Sequence, residues 1–223
     1  MTHDPVTQRA PRKAVIMARG LGTRMRKAAV GVSLTAEQAS AAQAGVKAMI
    51  SLDGRPFLDY VISSLADAGF DQFCLVIGPE HDLIRNYYDS CEKSRVEITY
   101  AIQEQPLGTA DAVAAAEDFA GDDRVLVVNS DNFYPEDAVA RLREVPASAT
   151  LGFTKRAMID QSNIDPERIR AFALLDSDDS GQLTDIIEKP APEVVDAAGE
   201  TALVSMNCFL LTPRIFEACR SIE

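Results

Sequence analysis

Three stretches of this chain hold residues of the types, at the spacings, that could bind and move phosphate. The first is Arg19-Gly20-Leu21-Gly22-Thr23-Arg24, which directly follows the apolar run Ala14-Val15-Ile16-Met17-Ala18. Glycines at 20 and 22 let backbone amides approach an anion where a Cβ would intrude, and Thr23 adds a hydroxyl. The planar fork of Arg24 can neutralise a triphosphate. The second is Val127-Val128-Asn129-Ser130-Asp131, which puts a carboxylate just past an apolar strand. In open α/β sheets that edge is where ligands and metals sit. The third joins Tyr100-Ala101-Ile102-Gln103 through Pro106 and Gly108 to Thr109, a strand running into a helix N-terminus. Lys47, after an alanine-rich stretch, adds one more cation.

The charge pattern agrees with an anion site near the N-terminus. No acidic residue occurs between Pro5 and Ala36, whereas Arg9, Arg12, Lys13, Arg19, Arg24, Arg26 and Lys27 all fall there. Arg9, Arg12 and Lys13 read as a basic tail, residues 1–12 being expected to be flexible. The chain as a whole carries a net charge of −12, which argues against nucleic-acid binding and against an anionic membrane surface. Only His3 and His81 are available, which argues against a histidine triad or a multi-histidine metal site, and His81 reads as a surface residue. The four cysteines, Cys74, Cys91, Cys208 and Cys219, form no CxxC pair, which points to a reduced cytoplasm. Other motifs fail on single positions. A dinucleotide fingerprint would need glycine at Met25, and no GxxxxGK[ST] occurs. An EF-hand starting at Asp176 would need glutamate where Ile187 stands, so Asp178 and Asp179 read as turn residues.

The elements that must position these groups follow from periodicity and punctuation. With 223 residues, 47% of them hydrophobic, the chain can build one sizeable domain. Thr35 and Gln38 form a capping box for a helix over 36–44. Pro56 opens a helix at its first position, running to about Gly69 with Leu58, Val61, Ile62 and Leu65 on one face. A strand is expected at 73–77, a helix at 81–88, a strand at 96–102, a helix from a Thr109 cap through Phe119, and a strand at 124–129. Continuous apolar strands alternating with helices imply a mostly parallel sheet covered on both faces. Beyond residue 145 the strand-like stretches 148–155, 170–175, 182–188 and 202–211 imply a mixed extension of that sheet. The whole reads as one domain over 13–223, in halves 13–135 and 146–216.

In order and combination these motifs resemble the sugar-1-phosphate nucleotidyltransferases, the nucleotide-sugar pyrophosphorylase family. The resemblance rests on Gly20-Leu21-Gly22-Thr23-Arg24-Met25-Arg26, Lys47, Gly54-Arg55-Pro56, Gln103 to Ala112, Asp131, Ile187-Glu188-Lys189-Pro190 and Asn207. It implies an α/β, Rossmann-like three-layer sandwich of the GT-A-like type. It implies an NTP and a sugar 1-phosphate as substrates and Mg²⁺ as cofactor. Arg24 and Lys47 would then act on the phosphates, and Ala18, Gly20, Gly22, Thr23, Gln103, Gly108 and Thr109 would hold the nucleotide. Asp131 would hold the metal, while Glu188, Lys189 and Asn207 would bind the sugar phosphate. The Gln103 carboxamide, able to pair with N3–H and O4, favours UTP or dTTP.

Bland readings stand beside these. Asp131 could cap a helix, Glu188-Lys189 could be a solvated pair, Asn207 could be structural, and Asp111 is explained by a helix dipole. The chain departs from the resembled pattern at Arg19, where glycine or alanine is usual. It departs also at Val46, where proline is usual, and in a long 27–46 insert. A second metal ligand is not found before Glu223; either it is absent or the chain is truncated there, and truncation is the favoured expectation. Self-association is left open. An alternative is a nucleotide-sugar-binding regulatory module with impaired catalysis. A cytidylyltransferase would share the glycine loop but not Glu188-Lys189-Pro190 or Asn207. The catalytic reading requires Arg24 and Asp131 to open onto one cleft.

Overall fold

A computed structural model describes residues 10–20, 46–162 and 164–222. The 36–44 helix and the loop positions Gly22, Thr23 and Arg24 lie outside the described residues. The chain divides into two compact units, Met1–Ala149 with Phe209–Glu223, and Thr150–Cys208. That division stands beside the single domain in two halves expected from the sequence.

The first unit runs β1 (Lys13–Met17), a 3-10 turn (Lys47–Met49), β2 (Ser51–Leu52), β3 (Arg55–Pro56), α1 (Phe57–Asp67) and β4 (Gln72–Ile77). It continues through α2 (Asp82–Ser90), β5 (Glu97–Ile102), α3 (Thr109–Ala114), α4 (Glu117–Ala120), β6 (Val125–Asn129) and α5 (Glu136–Glu144). Four strands in the order β5-β4-β1-β6 form an all-parallel ladder. Alternate residues explain why these strands are continuously apolar. Val15, Cys74, Val76, Val125 and Val127 face one cluster with Ala112, Val113, Ala116 and Phe216. Their neighbours Ala14, Ile16, Phe73, Leu75, Ile77, Leu126 and Val128 point the other way and are equally buried. Each fully buried Leu, Ile, Val or Phe contributes roughly 1.5–3 kcal/mol over an exposed one. A sheet covered on both faces therefore needs no polar strand position until its ends.

The ends are in step. Met17 pairs in register with Val76 and Asn129, and Ile77 with Ile102, so the C-terminal ends of the four strands share one edge. Backbone bonds carry that alignment past the ladder: Ala18 N to Val76 O at 2.8 Å, Gln103 N to Ile77 O at 2.9 Å, Ser130 N to Met17 O at 3.2 Å.

Several expectations are corrected. Pro56 precedes α1 as its N-cap instead of opening it. Gly108 caps α3 and Thr109 is its first residue, with no side-chain cap bond. The helix expected through Phe119 breaks into α3 and α4, because Ala116 N bonds Val113 O, an i−3 contact that interrupts the α ladder. Pro11 and Arg12 are not a loose tail: the Pro11 carbonyl accepts from Arg143 Nε at 2.7 Å, and Arg12 Nε donates to Asp71 at 2.9 Å. Lys13 bridges Asp123 at 2.7 Å.

The second unit holds β7 (Ala149–Thr154), α6 (Lys155–Gln161), α7 (Pro166–Ile169), β8 (Leu174–Ser177), β9 (Leu183–Ile187) and α8 (Pro192–Ala198). Strand β10 (Leu203–Leu211) crosses the boundary, and α9 (Arg214–Arg220) belongs to the first unit. Strand β8 pairs antiparallel with both β9 and β10. Met158, Ile169, Leu174 and Val204 form its core. Asp178 makes the hairpin turn read from the sequence, its Oδ1 accepting from Ser180 N and Gln182 N at 2.9 Å each. Parallel pairing in one unit and antiparallel pairing in the other make this an α/β chain with a mostly parallel, mixed sheet. Among the described residues no helix is long and apolar enough to cross a membrane.

Candidate functional site

The segments leaving the aligned strand ends enclose a cleft of about 480 Å³ in the first unit. Seven of the residues singled out in the sequence line it: Ala18 and Gly20 after β1, Lys47, Gln103 after β5, Gly108 and Thr109 before α3, and Asp131 after β6. Arg24, the proposed partner of Asp131 across a cleft, lies outside the described residues, as do Gly22 and Thr23. Glu188, Lys189 and Asn207 belong to the second unit.

Lys47 is placed by its neighbours. Val46 and Ala48 are buried, and Ile50 N returns to Lys47 O at 3.1 Å, so the short turn is anchored while the lysine side chain stays half exposed. Its Nζ lies 3.5 Å from Asp131 Oδ2, although 84 positions separate them. Asp131 does not cap a helix: α5 begins at Glu136 behind Pro135, with no side-chain cap bond. The capping alternative is thereby removed, and the carboxylate faces the cleft opposite a cation.

Gln103 is nearly fully buried, and its amide nitrogen is committed. Nε2 donates to Gly108 O at 3.1 Å and to Asp111 Oδ2 at 2.7 Å. What it keeps for a ligand is the carbonyl oxygen Oε1, an acceptor. Gly108 holds φ +121°, a conformation L side chains rarely adopt, so glycine is required where the chain turns back to meet Gln103. Gly20 is different. A Cβ there would meet no atom of the described residues within 4 Å, and Gly20 lines the cleft.

Arg19, expected either to add a phosphate contact or to crowd the pocket, and Asp111 make contacts other than those the sequence led one to expect. Arg19 lines the cleft with its side chain only 8% exposed; Nη1 donates to Gln103 O, and Nη2 lies 3.6 Å from Glu80 Oε1. Asp111, read only as a helix-dipole residue, orients Gln103. The Arg19 contact depends on how the turns after β1 and β5 meet, 84 positions apart, whereas the Asp111 contact closes within the one connection from β5 to α3, eight positions long. His81 corrects the surface reading: it is buried, and Nδ1 accepts from Gly78 N–H at 3.2 Å. Burial lowers its pKa below the usual imidazole value, the Glu80 carboxylate opposes that, and Arg19 adds to it. An unprotonated Nδ1 is consistent with its acceptor role.

In the second unit, Lys189 (φ 47°) and Asn207 (φ 55°) both adopt left-handed backbone. Asn tolerates that region better than most residues, which gives Asn207 a backbone reason within β10; its N–H donates to Ser205 Oγ at 3.2 Å. Glu188 and Lys189 are exposed.

The donor set suits Mg²⁺ better than a metal needing a full protein cage. Among the described residues no three His, Cys, Asp or Glu side chains gather. Mg²⁺ commonly keeps its waters and takes one or two carboxylates plus substrate phosphates. A half-exposed Asp131 at an open cleft fits that mode.

Comparison with known proteins follows the same line. The sequence pattern of the nucleotidyl transferase family matches residues 13–223. A UTP–glucose-1-phosphate uridylyltransferase of Haloferax volcanii is 29% identical over 213 residues, covering 95% of this chain and 76% of that protein. A glucose-1-phosphate thymidylyltransferase of Streptomyces antibioticus is 28% identical over 215 residues, covering 95% of this chain. This chain spans about half, 52%, of that relative's length. In fold it is similar to a UDP-glucose pyrophosphorylase complexed with UDP-glucose (TM-score 0.71, 16% identity, 96% of this chain and 80% of that one). It is similar also to a UTP-bound UGPase from Acinetobacter baumannii (TM-score 0.69, 20% identity, 95% and 78%). With the motifs in order and the pattern matched from β1 to its end, the chain belongs to the nucleotidyl transferase family.

Proposed function

We propose that this chain joins an NTP, with UTP or dTTP favoured, to a sugar 1-phosphate, giving an NDP-sugar and pyrophosphate. The observation that carries the reading is the meeting of Lys47, Asp131 and Gln103 in one cleft at the C-terminal edge of a parallel sheet. A phosphate oxygen of the sugar 1-phosphate attacks the α-phosphorus in line. The new P–O bond forms as the bond to the β-phosphate oxygen breaks, and the electron pair leaves with pyrophosphate. The attacking group is already an anion, so no protein nucleophile or histidine base is needed. That agrees with a cleft in which the only cation–carboxylate pair is Lys47 with Asp131 among the described lining residues.

The protein's work is therefore alignment and charge neutralisation. Lys47 is positioned to meet phosphate oxygens. Gln103 offers Oε1 to a base N–H, such as N3–H of uracil or thymine, because its own N–H groups are spent on Gly108 and Asp111. Pairing through O4, expected from the sequence, would require those bonds to break. A bound Mg²⁺ would supply positive charge against the phosphate oxygens, and Asp131 is the carboxylate that would hold it. Gly20 leaves room for phosphate at the start of the loop. The phosphate roles of Gly22, Thr23 and Arg24, and the sugar-phosphate roles of Glu188, Lys189 and Asn207, are part of the proposal on sequence motif alone. A reduced cytoplasmic setting belongs to it as well, in keeping with four free thiols.

The test is Mg²⁺-dependent pyrophosphate release across UTP, dTTP, CTP, ATP and GTP with common sugar 1-phosphates. Turnover highest with UTP or dTTP supports the reading. Nucleotide-induced thermal stabilisation without pyrophosphate release from any pair would favour the impaired binding module instead, a reading to which the Arg19 guanidinium in the cleft wall lends some support.

A further inference from the structure

Arg19 is an unusual wall for an open cleft. A guanidinium beside solvent normally turns outward, since water satisfies all five of its N–H groups. This one is turned inward, with 8% of its side chain exposed. Its Nε is the only buried side-chain polar atom without a hydrogen-bond partner among the described residues. A buried donor left unpaired is costly, so the orientation must be held by what the other two nitrogens do. Nη1 donates to the backbone carbonyl of Gln103, and Nη2 stands 3.6 Å from Glu80 Oε1. Three strand ends, those of β1, β4 and β5, are thus tied by one side chain.

The consequence falls on Gln103. Its N–H is fixed to Ile77 O at 2.9 Å, its C=O to Arg19, and its Nε2 to Gly108 O and Asp111 Oδ2. Every polar group of the residue is clamped except Oε1. The residues that follow, Glu104 to Gly108, are exposed, so they offer little to hold the peptide after Gln103 if Arg19 lets go.

We propose that Arg19 is a positioning residue of the nucleotide subsite, holding the Gln103 carbonyl so that the Gln103 carboxamide faces the base in one orientation. This rests on the reading of Gln103 as the group that meets the base. Lysine would not replace it fully, because a point charge can serve the Gln103 carbonyl or Glu80 but does not fork between them.

The test is a double-mutant cycle on UTP binding with Mg²⁺, by calorimetry, using the full chain. Arg19→Ala and Gln103→Ala should each weaken UTP about tenfold, and the double variant no more than about twofold beyond the weaker single. Arg19→Lys should recover part of the loss, since an ammonium can still serve the Gln103 carbonyl alone. Two readouts separate positioning from loss of fold. Inorganic tripolyphosphate should bind Arg19→Ala as it binds the wild type, and the preference for UTP over CTP should collapse in both single variants. Additive effects, near a hundredfold in the double variant, would overturn the proposal, as would wild-type affinity in Arg19→Ala or an equal loss for tripolyphosphate. If Gln103→Ala keeps full base preference, the base-reading role of Gln103 fails and Arg19's role falls with it. If the wild type binds none of the five NTPs, the functional reading itself fails.

Discussion

Lys47 and Asp131 bind each other loosely, at 3.5 Å and with both side chains more than a third exposed. Such a pair contributes at most about 1 kcal/mol to stability, so its removal should leave the fold intact and show up in catalysis. Lys47→Met is expected to lower kcat/KM by roughly a hundredfold or more with a melting temperature within a few degrees of wild type. Steady-state kinetics beside a melting curve checks this, and a large drop in melting temperature would mean a structural role. His81 gives the opposite kind of signal. Its folded pKa is depressed by burial, so between that value and the usual value near 6.5 the unfolded chain binds the extra proton. Its contribution to stability is therefore complete above about pH 6.5 and is lost as pH falls below it. Denaturant titrations from pH 7.5 to 5 should show a fall in stability over that window that is smaller in His81→Asn; identical slopes would contradict the assignment. The thiols divide in the same way. Burial raises Cys74 to about 11 and Cys208 to about 12, so both should resist a thiol reagent at pH 8 until the chain unfolds, while half-exposed Cys91 reacts in the native state.

The strands and turns put these residues where they are. Leu126 is fully buried in β6, directly before the segment that carries Asp131, and Leu126→Ala should cost about 2–5 kcal/mol and loosen the site with it. Gly108→Ala should cost on the order of 1–3 kcal/mol through its positive φ, and should weaken nucleotide binding because Gly108 O is one of the two acceptors that orient Gln103. Much of this was readable beforehand. Buried parallel strands announce themselves as continuous apolar runs, and β4, β5 and β6 lie within one residue of their expected bounds. Cap chemistry is legible in the second unit too. Asp165 accepts from Glu167 N at 2.9 Å ahead of Pro166, Thr154 accepts from Ala157 N at 3.3 Å, and Pro192 opens α8. Thr154 falls within the stretch 148–155 expected as a strand, whereas Asp165 and Pro192 stand in the gaps between the expected strands. What no local pattern could yield is long-range. The Lys47–Asp131 approach, the inward turn of Arg19 and the burial of His81 each depend on which loops meet after the sheet has formed.

At the level of the whole chain, charge and chemistry run in opposite directions. A protein with a net charge of −12 leaves one stretch free of acid: seven of its 22 lysines and arginines fall between Pro5 and Ala36, of which Arg12 and Lys13 pair with Asp71 and Asp123 and Arg19 turns into the cleft wall. The net negative charge disfavours a long polyanion met on a surface. The family membership, the aligned strand ends and the cleft in the first unit all bear on one claim, that Asp131 and Lys47 serve nucleotidyl transfer to a sugar 1-phosphate. The most direct test is the rate of label transfer from α-phosphate-labelled UTP into NDP-sugar, wild type against Asp131→Asn, with Mg²⁺ saturating. The account predicts wild-type turnover and a loss of at least about a hundredfold in the variant, with its fold intact. Equal rates in the two proteins would contradict it.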